Sequence, residues 1–378
     1  MQQLSVWEKE SFFAPKDITI IGSGLVGLWS AYYLKKHQPD LSISILDRGV
    51  IPTGASTRNA GFACFGSATE LIADRKMMGE DKMLELVEMR FKGLRKIRKV
   101  FHDREIGFEP AGGYELISPE QNMDLNSIRS HLDGLNRLLR SIVGKNKTFH
   151  LDDAKISSFG FGHTKHLIEN RMEGQLHSGK LCEALLKKVQ SMGVTVLNGI
   201  EVRAFDKQSD RVGIDSNLPF RLSAGKLLIC TNAFARELMP QLNVEPARGQ
   251  ILVTSPIPNL RFRGTFHHDE GFYYFRNLGD RVLLGGARNK AIEEEHTNTL
   301  ATTDKIQDEL ERFLRKVILP NTSYRIDYRW SGIMGVGDEK MPIVGRIDDR
   351  IFSAVRMGGM GVALAPVMGK KIAEQLRS

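Results

Sequence analysis

Cysteine is scarce in this sequence. Cys64, Cys182 and Cys230 are the three in 378 residues. They form no Cys-x-x-Cys pair and their number is odd, which argues against a disulfide framework and a zinc site and suits a reducing, cytoplasmic setting. Long apolar runs are missing too. No stretch approaches the roughly 20 apolar residues that a spanning helix needs, so no integral membrane segment is expected. The opening MQQLSVWEKESFF lacks the apolar centre of a secretory leader. There is no dense Lys/Arg block interleaved with aromatics, although 53 Lys+Arg against 45 Asp+Glu leave a formal charge of +8. That excess fits an anionic small-molecule substrate, and no nucleic-acid partner is expected. His267 and His268 have no third ligand at metal spacing, so no metal is expected. Internal repeats and low-complexity tracts are absent.

What is present begins with DITIIGSGLVGLWSAYYL, Asp17 to Leu34. Ile18 to Ile21 reads as a short strand buried on both faces. From Leu25 the apolar residues Leu28, Trp29, Ala31, Tyr32 and Leu34 follow helical spacing, and Pro39 stops the helix near His37. LSISILD then forms a second strand ending on Asp47. Between strand and helix lie Gly22, Gly24 and Gly27. The first permits a tight turn, the second lets backbone approach a pyrophosphate, and the third lets helix and strand pack closely. Leu25 and Val26 open the helix, whose free N–H groups and positive dipole end face the phosphates. Asp47 lies 20 residues beyond Gly27, where its carboxylate can accept from a ribose hydroxyl and would repel a 2′-phosphate.

Residues 54–69, GASTRNAGFACFGSAT, read as a loop against a ligand. Residues 80–101 read as an amphipathic helix, and 121–144 as another. SGKLCEALLKKVQSMGVTVLNGIEV gives helix, glycine stop and strand. GKLLICTNAFAREL gives strand, turn and helix. From 248 to 287 short alternating strands with glycine turns predict an antiparallel sheet. Residues 301–316 return to helix, and RIFSAVRMGGMGVALAPVMGKKIAEQL closes as strand, glycine turn and helix. The turn Gly358–Gly361 would put a second helix N-terminus at the N1/O2 edge of a reduced flavin, which favours FAD over NAD.

The ordered set of motifs resembles the FAD-dependent D-amino-acid oxidase superfamily, which includes glycine oxidase, sarcosine oxidase and γ-glutamylputrescine oxidase. The carrying stretches are IIGSGLVGLWSAYYL, LDRG, GASTRNAGF, EGQLHSGKL, PARGQ, RVLLGGARN, WSGIMGVGDEKMPIVG and GGMGVALAPVMGKKIAEQL. The resemblance implies an α/β fold in which a Rossmann-like FAD-binding domain carries an inserted, mostly antiparallel substrate domain. The expected bounds are 1–85, 150–235 and 325–378 for the first, with 86–149 and 236–324 for the second. It implies cofactor contacts from Gly22, Gly24, Leu25, Val26, Gly27, Asp47 and Arg48, then from Ser56, Thr57, Arg58, Asn59, Ala60 and Gly61. Val202, Thr231, Asn232, Gly359, Met360, Gly361 and Val362 complete that set. No cysteine follows Cys230, so the FAD is expected to be non-covalent.

The activity implied is oxidation of a C–N bond of a small amine or amino acid by hydride transfer to flavin N5, the imine then hydrolysing. Oxygen, a quinone or a protein would take the electrons. A dehydrogenase of a 2-hydroxy acid or similar non-amine substrate, a tRNA-modification flavoenzyme and a flavin-binding protein without catalysis are the alternatives. The family places an Arg shortly after Trp-x-Gly to pair with the substrate carboxylate, and here Met334 stands there. Arg276, Arg288 and Arg248 are the candidates to replace it. Tyr273 and Tyr274 are candidate pocket residues, and His177 could approach the flavin.

Overall fold

The computed structural model describes residues 3–377; residues 1, 2 and 378, which the expected domain bounds include, lie outside the described residues. Lys16–Ile21 is the central strand of the first sheet. It is flanked in parallel by Leu222–Ile229 and Ile43–Asp47, and these by Ile351–Val355 and Thr195–Asn198. Apolar residues at successive positions bury both faces of these strands. The two buried hydroxyls in the pair, Thr19 and Ser44, bond each other at 2.9 Å. Ile343–Arg346 pairs antiparallel on one edge, and a hairpin of Val202–Lys207 and Val212–Ser216 extends Leu222–Ile229. The helices Leu25–His37, Ser178–Ser191 and Gly361–Arg377 share a core with this sheet, and Glu80–Val100 docks on Gly361–Arg377.

The second sheet runs Ile326–Val336, Glu245–Thr254, Arg281–Gly286, Tyr273–Leu278, Thr265–His268, Gly113–Ile117, His166–Asn170 and Phe149–Leu151. Every pairing is antiparallel except that of Thr265–His268 with Gly113–Ile117. Alternation gives the sheet two faces. One carries Tyr114, Leu116, Phe266, Phe275 and Tyr273 against the helix Asp304–Phe313 and its continuation Leu314–Ile318. The other turns toward the segment 54–62 of the first unit.

The mixed architecture follows the sequence expectation, but the elements divide differently. Ile326–Val336 pairs along Glu245–Thr254 in the second sheet, so the bound expected at residue 325 falls ahead of a strand that belongs with the antiparallel unit. Phe149–Leu151 and His166–Asn170 belong there as well, although 150–235 was expected to be nucleotide-binding. Glu80–Val100 goes the other way. Its apolar face, with Phe91, Leu94 and Ile97, joins the core of Ile20 and Trp29 rather than the substrate unit. Long-range strand pairing and helix docking set these borders, and neither has a local signal. The segment 54–69 is also more ordered than a loop: it holds the helical turn Ala55–Arg58, the two-residue strand Phe62–Ala63 and the start of the helix Ala68–Met78.

The docking of Glu80–Val100 on Gly361–Arg377 depends on Gly93, where a Cβ would lie 1.7 Å from the Ala363 carbonyl oxygen. Gly93→Val should therefore cost about 3 kcal/mol or more of stability, since packed backbone cannot yield as a side chain can. A fall in the thermal midpoint measured by circular dichroism checks this, and an unchanged midpoint would contradict the packing described.

Candidate active site

The glycine turn at the tip of the central strand is crowded by backbone at Gly22 and Gly27. Gly22 has φ +105°, and a Cβ there would meet the Cys230 carbonyl oxygen at 2.8 Å. A Cβ on Gly27 would lie 2.0 Å from the Gly22 carbonyl oxygen. Gly24 caps the helix without a side chain, leaving first-turn N–H groups to an outside acceptor. Ser56 Oγ accepts from Leu25 N at 2.9 Å. Leu25 and Val26 are buried behind the turn. Asp47 is fixed at the neighbouring strand tip by Ser23 N at 2.8 Å, Ser23 Oγ at 2.7 Å and Gly49 N at 2.9 Å. A backbone cradle, a helix N-terminus and a carboxylate fixed at the next strand tip fit a dinucleotide with a free ribose hydroxyl.

Around this tip lie the other residues expected to meet the adenosine. Ile200 N donates to the Asp47 carbonyl at 2.9 Å, which brings Val202, two residues on, to that corner. Arg48 stacks 4.1 Å from the Phe234 ring centroid and pairs with Glu237 at 3.2 Å.

Most side chains of the segment 54–61 are spent on the segment itself. Thr57 Oγ1 donates to the Pro52 carbonyl at 2.5 Å. Arg58 donates to the Thr53 carbonyl at 2.9 Å and the Ser331 carbonyl at 3.0 Å, while its own carbonyl accepts from Trp330 Nε1 at 2.9 Å. Asn59 Oδ1 accepts from Gly61 N at 2.8 Å and Ser178 Oγ at 2.6 Å. Its amide donates to the Ala55 and Ser56 carbonyls. Ala60 packs with Ile251, Val253 and Leu283 of the second sheet. What this strip presents to a ligand is therefore chiefly backbone and the Ser56 hydroxyl.

At the other end of the chain, Asn232 (φ +48°) ties three segments together. Its Oδ1 accepts from Arg356 N at 3.1 Å and Met357 N at 3.3 Å, and a Cβ on Gly335 would lie 2.7 Å from it. Gly358 N donates to the Gly335 carbonyl at 3.0 Å. The turn then passes Gly359 (φ +81°) and Met360, and Gly361 and Val362 open the last helix. Thr231 precedes this staple, its hydroxyl oxygen buried without a partner. The sequence suggested Asn232 as a cofactor contact; its amide oxygen positions the C-terminal turn.

Facing these turns, the second sheet offers Tyr274, not Tyr273. Tyr273 points to the far side, where its hydroxyl donates to Glu309 Oε1 at 2.6 Å and its ring lies 4.7 Å from that of Phe313. The phase of the strand is set by its packing on Asp304–Phe313, which corrects the sequence expectation. Tyr274 lies across Gly285, where a Cβ would come within 2.8 Å of its hydroxyl oxygen. A Cβ on Gly249 would touch both that hydroxyl oxygen, at 3.5 Å, and Met334 Cε, at 3.4 Å. Met334 Sδ in turn lies 3.2 Å from a Cβ position on Gly359, linking the sheet to the C-terminal turn. Burial pushes the Tyr274 phenol up to about 12, with Arg288 opposing that rise.

The three candidate arginines part company. Arg248 is on the far face, bound twice by buried Glu295 at 2.7 and 2.9 Å. Arg276 is buried behind Gly61 and donates to main-chain carbonyls. Arg288 is half-buried near Tyr274, and burial holds its guanidinium below its usual range. His177 is exposed and caps the helix Ser178–Ser191, its Nδ1 accepting from Lys180 N at 3.2 Å, so it serves helix capping rather than the cleft.

Beside the cleft, behind Phe62, lies a buried polar cluster that the sequence did not disclose. His267 stands 5.1 Å from the Phe62 ring, and burial pulls it down to about 4, so it is neutral at neutral pH. Glu115 accepts from Ser67 Oγ and Thr69 N, each at 3.0 Å. Glu70 pairs with Arg90 at 3.1 Å. Glu173 accepts from Phe65 N at 2.9 Å, and burial pushes its carboxyl up to about 8. Elsewhere, His150, Asp152 and Glu169 converge at metal-binding separation, but Lys155 Nζ sits 2.7 Å from Glu169 and 3.1 Å from Asp152, in the place a cation would take.

Comparison with known proteins gives the same picture over the whole chain. The family model described as FAD dependent oxidoreductase (DAO) matches residues 17–375. Gamma-glutamylputrescine oxidoreductase of Escherichia coli (strain K12) is 23% identical over 384 residues, covering 96% of this chain and 83% of that protein. L-proline dehydrogenase from P. horikoshii superposes with a TM-score of 0.76 at 17% identity, covering 95% of this chain and 92% of that one. Glycine oxidase from Geobacillus kaustophilus gives 0.74 at 19% identity, covering 96% and 95%. At these identities the two structures establish the fold alone. Among the described residues no helix is long and apolar enough to cross a membrane.

Two outcomes follow from this geometry. Gly27→Val should abolish flavin uptake, because its side chain would displace the Gly22 carbonyl at 2.0 Å; the ratio of visible to ultraviolet absorbance of the purified protein reads this directly. Glu173 should make stability pH-dependent. The fold holds its proton up to about pH 8, whereas the ordinary value is 4.5. Its contribution is thus complete below pH 4.5 and is lost as pH rises toward 8. Glu173→Gln should raise the thermal midpoint at pH 9, by an amount reflecting a few kcal/mol, and leave it nearly unchanged at pH 4.

Proposed function

Because the chain belongs to the family of FAD-dependent oxidoreductases, we propose that it oxidises a C–N bond of a small amine or amino acid, with the FAD held non-covalently. The observation that carries this reading is the set of side chains gathered around Tyr274 beside the C-terminal turn. Tyr274, Met334 and Arg288 supply a phenol, a thioether and a guanidinium, a set suited to holding and orienting a small molecule rather than attacking it. When bound, FAD supplies the two-electron acceptor. The chain supplies position and a dry wall: Met334 and the ring of Tyr274 exclude water beside the C-terminal turn, and Arg288 binds a carboxylate on the substrate. Arg288 thereby takes over from the Arg that the family resemblance implies at Met334. The imine product hydrolyses in water, and oxygen, a quinone or a protein accepts the electrons.

Non-covalent attachment is supported by the thiols. All three cysteines are buried, and burial raises each thiol, that of Cys182 to about 12. The relatives are named for γ-glutamylputrescine, L-proline and glycine, each of which has a C–N bond open to oxidation.

Anaerobic mixing of the FAD-loaded protein with amines, amino acids and 2-hydroxy acids tests the reading. An amine or amino acid should bleach the visible flavin band, and bleaching by a hydroxy acid alone would overturn it. Arg288→Gln should raise KM for a carboxylate-bearing substrate about 10- to 100-fold, the worth of one charged hydrogen-bonded contact. It should leave the corresponding decarboxylated amine within about twofold, since that molecule makes no such contact.

A further inference from the structure

Arg276 is an unusual buried cation. It lies on Tyr273–Leu278 with 5% of its surface exposed. Nη1 donates to the Gly61 carbonyl at 3.0 Å and the Leu176 carbonyl at 2.8 Å, while Nε is buried without a partner. Two other buried arginines have a carboxylate in close contact, Arg90 with Glu70 at 3.1 Å and Arg248 with Glu295 at 2.7 Å, while buried Arg356 donates to the Met341 and Asn243 carbonyls with Glu339 at 3.9 Å. Arg276 has two neutral carbonyls instead. Burial draws its guanidinium down to about 10, with Glu109 the opposing charge, so it remains protonated at neutral pH.

Bridging two carbonyls does not require a charge, because a neutral amide could donate to both. Keeping a cation in a low-dielectric place with no carboxylate in contact is costly, and such a charge is strongly felt by any neighbour whose own charge changes. Gly61 closes the strip 54–61, which runs beside the flavin ring if the FAD reading above holds. The ring gains negative charge on reduction, and a fixed cation beneath the strip favours that state over the oxidised one. The first turn of Gly361–Arg377 would act in the same sense from the opposite end of the site.

We propose that Arg276 is an electrostatic positioning residue whose charge, held by main-chain carbonyls and not by a carboxylate in contact, acts through the Gly61 edge of the strip and raises the reduction potential of the bound flavin. This rests on the FAD reading but not on any particular substrate.

The test uses FAD-loaded wild type, Arg276→Lys and Arg276→Gln, and reads the midpoint potential together with the affinity of the flavin for sulfite, a small anion that reports local positive charge. Wild type should bind sulfite. Arg276→Gln should shift the potential downward and weaken sulfite binding at least about tenfold, while Arg276→Lys, which keeps charge but loses the fork, should stay near wild type. Wild type that does not bind sulfite overturns the proposal on its own, even if a variant fails to fold. Equal behaviour of Lys and Gln variants overturns it too, leaving Arg276 as a clamp on two carbonyls. Protein that takes up no FAD at all would instead refute the cofactor reading, a separate and distinguishable failure.

Discussion

The Gly22 carbonyl oxygen lies 2.0 Å from where a Cβ on Gly27 would stand, and the front of the site depends on that approach. A side chain at Gly27 would push the helix away from the strand tip. With no side chain there, the first turn of Leu25–His37 lies directly over the ends of Lys16–Ile21 and Ile43–Asp47. Its N–H groups and the Asp47 carboxylate then point into one space. Ser56 Oγ at Leu25 N anchors the next strip of chain to the same turn, so the strip 54–62 inherits its position from it. The second sheet is placed last, through Trp330 and Arg276 bonding to carbonyls of that strip.

The back of the site is held by a different device. The single amide oxygen of Asn232 accepts from two successive backbone N–H groups, Arg356 and Met357, and packs against Gly335. One side chain thus joins the end of Leu222–Ile229, the strand Ile326–Val336 and the approach to the last helix. Front and back are therefore built on the same principle: backbone positions are fixed by glycine spacing and short polar side chains, and the free peptide groups are turned toward the ligand.

Much of the front was legible in the sequence because its determinants are local. Gly22, Gly24, Gly27 and Asp47 sit at fixed offsets within one strand–helix–strand unit, and the spacing alone reports the geometry. Tyr273 and Tyr274 show where legibility ends. Both lie on one strand, and alternation guarantees that they face opposite ways, but not which way. The phase is chosen by Phe266, Phe275 and Phe313, which bury against each other from distant parts of the chain. Arg58, Asn59 and Asn232 are a second kind of limit. Their side chains bond other parts of the chain, Arg58 and Asn232 to the main chain and Asn59 also to Ser178 Oγ, and no spacing reports those bonds. Long-range pairing is a third kind of limit, since Ile326–Val336 finds its partner some eighty residues earlier.

The arrangement of buried charge separates structural from functional roles. On the far face of the second sheet, Arg248 and Glu295 satisfy each other, and Gln250 takes a remaining lone pair at 2.9 Å. On the near side, Phe62 divides two regimes. Behind it, Glu70, Glu115 and Glu173 are held by hydroxyls, peptide N–H groups and Arg90. Among the described residues Arg276 and Arg288 have no carboxylate in direct contact, and Glu109 and Glu295 act on them only from a distance. An aromatic partition of this kind lets one small unit hold several ionisable acids without cancelling the field that an anionic substrate, or an electron-rich ring, would experience.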